Sequence, residues 1–474
     1  HGFVVMPDVG RDGVGHRGRA GQAVGRTGYD GKQVKPGKPD NSRNSRRSRS
    51  IRGLQTPPQH EAETESCASE SSYDDSDYYS EYTVATSEEK KKPEDKDRKK
   101  DDIVHFNWKE GMVLNSRYRV LGLLGDGTFG RVLLAADQRK ERELRKVAGS
   151  EVAVKVVRDV EKYTRSAKRE AKLLEDIQDA DPQGKKGCVL LTDAFMHEGR
   201  FYCLVCEALG LSLYDVLKRN HYRGFWMQDI QSMALQCLEA LEFLHGNLHM
   251  AHTDLKLENV LFQSAADLRP ARFLREEFWQ SSEAAAGSSR RRQQQLHDYF
   301  RPASTRIKLI DFGNATYENE HHSTVINTRQ YRAPEVILQV GWNERADLWS
   351  VGCILMELYT GQLLFRTHEN CEHLALMERI LEALPAHMLQ RASRNAKEEF
   401  LRKASEQGEL WALRYPELAS SPASQQHVKC QRQLRDQVLP EHRSLAELTR
   451  EILRIDPTKR TAARQALRHP FFRV

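Results

Sequence analysis

Two short polar motifs constrain what this 474-residue chain can fold into more than any other feature. They are HTDLKLEN at residues 252–259 and DFG at residues 311–313. Asp254 can accept a proton from a hydroxyl group, and Lys256 can neutralise a phosphate. Asn259 and Asp311 offer the oxygen ligands that magnesium prefers. Together these side chains have the chemistry that phosphoryl transfer requires.

A glycine-rich hairpin and a lysine-bearing strand precede these motifs. GDGTFGRV at residues 125–132 continues into an apolar run that predicts a strand, and VAVKVV at residues 152–157 predicts the next strand. A dinucleotide site would instead continue into a helix, with an acidic residue about 20 positions further on. DFG alone would not exclude an ordinary polar loop. The order of all four motifs, however, resembles the protein-kinase signature, except that Thr253 stands where arginine is usual.

A helix predicted over about residues 165–177 supplies a partner for Lys155. Glu170 lies in the middle of this helix, and its neighbours supply the buried stripe, so we predict that it pairs with Lys155. Glu161 and Glu175 are the alternative partners. In the alternative interpretation, Glu170 is an ordinary exposed residue of the helix and has no functional role.

The eight cysteines show no disulfide framework, which suits a reducing compartment. Cys203 and Cys206 form a C-x-x-C, but residues 201–206 read as a strand, in which positions three apart point to opposite faces. We therefore predict neither a metal site nor a redox pair there.

Composition separates a polar tail from the rest of the chain. Residues 1–60 have twelve Lys or Arg against four Asp or Glu, and residues 61–89 have ten Asp or Glu and no Lys or Arg. Such blocks have too little apolar surface to offset chain entropy. The net charge of +6 does not by itself imply a nucleic-acid partner, and no apolar run is long enough to span a membrane. The predicted units are a disordered tail (1–103), a β-rich lobe (104–209) and a mainly helical lobe (210–474) with a mobile surface insertion at about 263–306.

A fifth motif narrows the resemblance to one family. Residues 372–381, EHLALMERIL, resemble the signature EHLAMMERIL of the LAMMER family, the Clk-type dual-specificity kinases. The family has HTD in place of HRD, which accounts for Thr253, and its activation segment matches residues 311–324. Leu257 stands where the family usually has proline, a change that we expect to be tolerated. The resemblance covers about residues 104–474.

The resemblance implies an α+β fold, the two-lobed eukaryotic protein kinase fold, with ATP and Mg²⁺ as cofactors. It implies phosphorylation of Ser and Thr, with autophosphorylation that includes Tyr. The implied protein substrates are Arg/Ser-rich splicing factors, so a role in pre-mRNA splicing and a nuclear location are expected, with the cytoplasm as an additional location. We expect a monomer without direct nucleic-acid or membrane contacts.

The resemblance also implies roles for individual residues. The catalytic residues are Asp254, Lys256, Lys155, Glu170 and Thr328, and the magnesium ligands are Asn259 and Asp311. The residues expected to bind ATP are Leu124, Gly125, Asp126, Gly127, Thr128, Phe129, Gly130, Val132, Ala153, Lys155, Cys206, Glu207, Leu209, Leu261 and Ile310.

Two departures from the usual kinase pattern have consequences. Cys206 falls at the back of the adenine pocket, where animal members have a bulky aromatic residue, so a roomier pocket is expected. Thr253 has no positive charge with which to bind an activation-loop phosphate, so we expect activity without one.

Two other functions compete with an active kinase. A pseudokinase scaffold is disfavoured because Lys155, Asp254, Asn259 and Asp311 are all retained. An Arg/Ser-type RNA-processing binding protein is favoured only by the tract at residues 42–50, and the chain has no RNA-recognition motif. Magnesium-dependent ATP turnover would separate the first function from the other two.

Overall fold

The computed structural model describes residues 106–127, 129–143, 150–264, 268–273, 299–404 and 410–473. The tail that is predicted to be disordered lies outside the described residues. The boundary between the two lobes, placed after residue 209, also stays a prediction.

Alternating apolar and polar residues build a six-stranded antiparallel sheet in the N-terminal part of the described chain. The strands lie in the order β1-β2-β3-β4-β6-β5. In β4, Val152, Val154 and Val156 are buried in the core, so Lys155 points to the opposite face. The strands are β1 (Val113–Leu114), β2 (Tyr118–Gly127), β3 (Gly130–Asp137), β4 (Glu151–Val157), β5 (Leu191–His197) and β6 (Phe201–Glu207), and the short helix α1 (Gln138–Glu143) follows β3.

One long helix, α2 (Glu161–Ala180), packs against this sheet. It begins earlier and ends later than the predicted helix over residues 165–177. Its buried positions follow the helical period and include Ala167, Glu170, Leu174 and Ile177. Glu170 therefore lies within the buried stripe of the helix and points toward the sheet that bears Lys155.

The part that follows is mainly helical, in agreement with the expected α+β fold. Helix α6 is buried almost all round, which marks it as the central helix of this part. The helices are α3 (Leu213–Arg219), α4 (Met227–Asn247), α5 (Pro334–Ile337), α6 (Arg345–Thr360), α7 (Asn370–Ile380), α8 (Ala386–Arg391), α9 (Arg394–Phe400), α10 (Pro422–Lys429), α11 (Arg443–Ile452) and α12 (Ala463–Ala466). The short strands are β7 (Met250–Ala251), β8 (Val260–Phe262), β9 (Leu268–Ala271), β10 (Tyr299–Pro302), β11 (Ile307–Leu309), β12 (Thr316–Tyr317), β13 (Leu401–Lys403) and β14 (Trp411–Leu413).

A buried ion pair closes the segment that follows DFG. Arg460 donates to both carboxylate oxygens of Glu335, at 2.6 and 2.8 Å, and both side chains are fully buried. The guanidinium also lies over the ring of Trp349. From the sequence, the arginine of DPTKR at residues 456–460 is expected to pair with the glutamate of APE at residues 333–335, and the structure confirms this pairing.

The insertion between β8 and β11 is more ordered at its ends than the sequence suggested. β9 and β10 pair as an antiparallel ribbon, and Phe273 and Tyr299 are almost completely buried. Arg301 holds Asp229 of α4 through two hydrogen bonds of 2.7 Å. The expectation of a surface-exposed insertion is therefore wrong for Phe273 and Tyr299, because these two aromatic residues pack against each other. The apolar residues Phe273, Leu274, Phe278 and Trp279 also suggest a short amphipathic helix, but all of them except Phe273 lie outside the described residues.

Candidate active site

The central helix α6 holds the loop at residues 252–259 in place. Asp347 of α6 accepts hydrogen bonds from the backbone amides of His252 (2.7 Å) and Thr253 (2.8 Å), and it lies 2.9 Å from His245 Nε2. Burial favours a raised pKa for Asp347, but hydrogen bonding and the charge of His245 bring the pKa below its usual value. Thr253 adopts a φ of 65°, a costly conformation for a β-branched residue. The buried carboxylate thus maintains a strained turn that sets the direction of Asp254.

Asp254 lies between two side chains that fix its carboxylate. Thr328 Oγ1 donates to Oδ1 of Asp254 at 2.8 Å, and Lys256 Nζ donates to Oδ2 at 3.1 Å. Lys256 Nζ also lies 3.2 Å from Thr328 Oγ1, which completes a triangle of contacts. The structure thus brings together three of the predicted catalytic residues, although they span 74 positions in the sequence.

Lys155 occupies the centre of a second cluster. Its Nζ donates to both carboxylate oxygens of Glu170, at 2.9 and 2.8 Å, and lies 3.4 Å from Oδ1 of Asp311. Burial alone would lower the pKa of Lys155, but the two carboxylates raise it above its ordinary value. Lys155 therefore stays protonated at neutral pH. Of the three candidate partners, the structure selects Glu170 and places Glu161 in an exposed pair with Arg165.

Asp311 and Asn259 fit the requirements of a magnesium site. Asn259 uses its amide nitrogen to donate to the backbone carbonyl of Asp254 at 2.8 Å, which leaves the amide oxygen for other contacts. Despite burial, the pKa of Asp311 is lowered by the charges of Lys155 and Lys256, so its carboxylate stays ionised. Magnesium is usually held by one or two protein oxygen ligands together with phosphates and water. Such a site does not require a cluster of three or more His, Cys, Asp or Glu, and the described residues contain no cluster of that kind.

A cavity of about 190 Å³ lies beneath the glycine-rich hairpin and beside these two clusters. Every predicted ATP-binding residue lines it except Thr128, which is outside the described residues. A Cβ at Gly130 would lie 2.3 Å from the carbonyl oxygen of Val156, so only glycine permits this close approach of β3 and β4. The predicted residues in the cavity wall are Leu124, Gly125, Asp126, Gly127, Phe129, Gly130, Val132, Ala153, Lys155, Cys206, Glu207, Leu209, Leu261 and Ile310.

Sequence reasoning missed several residues of the same cavity, among them Leu174, Val189 and Leu204. Leu204 lies two residues before Cys206 on β6, so the period of a strand could have found it. Leu174 lies one helical turn after Glu170, and the helical period could have found it in the same way. Val189 precedes β5 in a segment without a periodic pattern, and no signal in the sequence pointed to it.

The connector between the two lobes contains Glu207 and Leu209, whose backbone groups we expect to contact adenine, and this expectation stays a prediction. The amide of Glu207 donates to the carbonyl of Leu190 at 3.2 Å, and the Glu207 side chain pairs with the buried Lys308. Glu207 therefore anchors the connector to β11, and its amide is not available to a nucleotide.

Replacement of Cys206 tests the shape of the cavity. Cys206 lines the back of the cavity opposite Ala153, and burial raises the pKa of its thiol to about 12, so it remains a neutral, small side chain. We expect Cys206→Phe to weaken the binding of ATP-competitive compounds with a bulky group aimed there by about 1–3 kcal/mol, the usual cost of overpacking. Dissociation constants of such a compound and of its unsubstituted analogue would be measured for both proteins. Equal affinity of the bulky compound for the two proteins would show that Cys206 does not face it.

The paired histidines 321 and 322 have a structural explanation. His322 stacks on Trp342 with ring centroids 4.1 Å apart, and the indole donates to the carbonyl of Ser323 at 2.8 Å. The contact anchors the activation segment to the loop before α6.

Among the described helices, none has the length and apolar character needed to cross a bilayer.

The fold and the clusters around Lys155 and Asp254 define a protein kinase. The family model for the protein kinase domain matches residues 118–472. A crystal structure of a kinase domain superposes with a TM-score of 0.66 at 40% identity, covering 78% of this chain and 99% of that one. The α+β, two-lobed kinase fold is thereby confirmed.

Comparison with known proteins places the chain more closely. The serine/threonine-protein kinase AFC1 of Arabidopsis thaliana is 40% identical over 389 residues, which are 80% of this chain and 75% of that protein. The human dual specificity protein kinase CLK2 is 38% identical over 368 residues, 78% of this chain and 66% of the human protein. The chain belongs to the LAMMER family of protein kinases, with the AFC and CLK enzymes, and is a dual-specificity kinase.

Proposed function

We propose that this kinase transfers the γ-phosphoryl group of ATP to Ser and Thr residues flanked by arginine. The observation that carries the catalytic part is the carboxylate of Asp254, fixed by Thr328 and Lys256 beside the cluster of Lys155, Glu170 and Asp311. Magnesium and ATP, when bound, supply the phosphoryl group and offset its negative charge. Protein kinases as a family use ATP and a divalent metal, and the residues present fit both.

Each residue has a distinct part in this proposal. Asp254 orients the hydroxyl of the substrate and accepts its proton, because its second oxygen is held by Lys256 and it cannot rotate away. Lys256 neutralises charge on the transferred group. Lys155, held by Glu170, binds the phosphates that remain on the nucleotide. Most of the acceleration then comes from positioning and fixed charge.

The preference for arginine rests on acidic groups near the catalytic loop. Glu258 lines the nucleotide cavity next to Lys256, and its Oε2 is buried without a hydrogen-bond partner among the described residues. Burial first, and then the charge of Glu258, raise the pKa of the nearby Asp215. Two carboxylates that repel each other favour the approach of a cation, and a guanidinium satisfies a carboxylate with two hydrogen bonds.

Arg/Ser-rich splicing factors would present such sequences, and we include them in the proposal as substrates. Regulation of pre-mRNA splicing, a nuclear location with some cytoplasmic protein, and a monomeric state belong to the same proposal. The family resemblance supports these points, and so does the tract at residues 42–50, which has the same character and could be an internal substrate.

An oriented peptide array tests the substrate preference. We expect the protein to select arginine near Ser or Thr, with weaker selection at high salt, because exposed charges are screened. Glu258→Gln should reduce this selection about threefold or more, as expected for the loss of one charge pair of about 1 kcal/mol. Glu441→Gln, an exposed glutamate in the C-terminal part of the chain, is the matched control. Selection for acidic flanking residues, or no selection, would refute the proposed substrate class.

A further inference from the structure

The activation segment contacts the helix that carries Glu170 at two points. Tyr317 Oη donates to Asp176 Oδ2 at 2.6 Å, and Arg169 Nη2 lies 2.5 Å from Glu320 Oε2. Glu320 also accepts from the backbone amide of Tyr317 at 3.3 Å, so the two contacting residues of the activation segment belong to one turn of the chain. We name these four residues, Arg169, Asp176, Tyr317 and Glu320, the helix latch.

The geometry of the latch suits a positioning role. Arg169 and Asp176 are seven positions apart on α2, so they lie on one side of the helix, two turns from each other. Arg169 directly precedes Glu170 in the chain. Two attachment points resist both a swing of α2 and its rotation about its own axis, whereas one point would leave a pivot. Both motions would withdraw Glu170 from Lys155.

The other side of the latch is equally fixed. β12, which includes Tyr317, pairs with β7 directly before the catalytic loop, and Glu318 donates its amide to the carbonyl of His249 at 2.8 Å. Thr253 Oγ1 donates to the carbonyl of Asn314 at 2.8 Å, where many kinases have an arginine that binds a phosphate. The catalytic loop and α2 are therefore connected through backbone and side-chain groups of the unmodified chain, with no phosphate among them.

The charges around Tyr317 support the same interpretation. Asp176 accepts from both Lys172 Nζ, at 2.9 Å, and Tyr317 Oη. Partial burial would raise the pKa of Asp176, but these two hydrogen bonds lower it, so the acceptor is ionised at neutral pH. Burial, followed by the hydrogen bond to Asp176, raises the pKa of Tyr317, which keeps the phenol as the donor.

We propose that the helix latch holds Glu170 against Lys155 and thereby keeps the kinase active without a phosphate on the activation segment. Its members are positioning residues, since none lines the nucleotide cavity. The proposal rests on the kinase activity and is independent of which protein is the substrate.

The test uses the phosphatase-treated full chain and measures basal ATP hydrolysis, so the choice of peptide substrate does not affect it. Tyr317→Phe removes one hydroxyl and keeps the ring. We expect it to lower kcat/KM for ATP about tenfold, a ratio that corresponds to the usual free energy of a hydrogen bond to a charged group. Arg169→Glu should lower it further because it places like charges together. Arg169→Glu combined with Glu320→Arg should recover most of the loss.

A second measurement separates positioning from a general loss of structure. In a Glu170→Gln background, Tyr317→Phe should have less than about a twofold further effect, because the contact that the latch maintains is already lost. Glu161→Gln removes an exposed ion pair from the same helix without touching the activation segment, and it is the control for helix stability. Thermal unfolding should show one cooperative transition for each protein, which establishes that all of the variants are folded at the assay temperature.

Four outcomes would overturn the proposal, three of them in the variants. One is an unchanged kcat/KM for Tyr317→Phe, and another is a full tenfold loss that persists in the Glu170→Gln background. The third is the absence of any recovery in the charge-exchanged double variant. A collapse of activity in the unmodified sequence after phosphatase treatment would likewise show that a phosphate, and not the latch, positions α2.

Discussion

Asp254→Asn is expected to lower kcat by about 10²–10⁴-fold, the range measured for the loss of general acid–base catalysis. The asparagine still accepts the hydrogen bond from Thr328 through its oxygen, so the loop keeps its shape. It offers no carboxylate for the proton of the substrate, and no charge for Lys256. Because Asp254 is not among the residues that line the nucleotide cavity, the affinity for ATP should change little.

Steady-state kinetics on a protein substrate, together with binding of a fluorescent nucleotide, would check this prediction. Asp159→Asn is the matched control, since Asp159 is a partly exposed residue paired with Arg200. Circular dichroism and thermal unfolding establish that both variants are folded. Near-normal turnover by a folded Asp254→Asn protein would show that another group accepts the proton.

Lys155→Met should also lower kcat at least about 10²-fold, which is the usual effect of removing one fixed group that stabilises charge on the reacting atoms. The ammonium contacts both Glu170 and Asp311, and methionine keeps its length but not its charge. Glu170, whose side chain is only 9% exposed, would then be left unpaired. We expect the free energy of unfolding to fall by about 1–3 kcal/mol for that reason.

A double variant separates the two effects of Lys155. Lys155→Met with Glu170→Met replaces the buried pair by apolar side chains, which is often neutral for stability. We expect it to recover the stability but none of the activity. Lys162→Met, at an exposed position of α2, is the control for both measurements. Recovery of activity in the double variant would contradict the assignment of Lys155 to phosphate binding.

The parts of the site that lie close together in the sequence were predictable. The hairpin of residues 125–132, the lysine of β4 and the loop of residues 252–259 each carry their chemistry in a few neighbouring positions. Their conformations follow from strand periodicity and glycine geometry, which are local properties. The ion pair of Glu335 and Arg460 was predictable for another reason. Each residue belongs to a short motif, APE at residues 333–335 and DPTKR at residues 456–460, and their charges are opposite.

Where a choice depended on packing, the sequence left it open or gave the wrong answer. The prediction that Glu170 pairs with Lys155 is confirmed, whereas the sequence gave no sign that Asp311 would also approach Lys155. The contact of the Glu207 amide with the carbonyl of Leu190 was not foreseen, because it depends on how two distant segments approach each other. The ends of the insertion were expected to be exposed, but Phe273 and Tyr299 pack against each other and are buried.

The sequence by itself thus determined which groups perform the chemistry and the family to which the chain belongs, because those signals are short motifs in a fixed order. Only the tertiary structure decided which groups meet: Lys155 with Asp311 across 156 positions, and Tyr317 with Asp176 across 141. Such contacts depend on the packing of the whole backbone, where many weak interactions act together. No local pattern of residues records them.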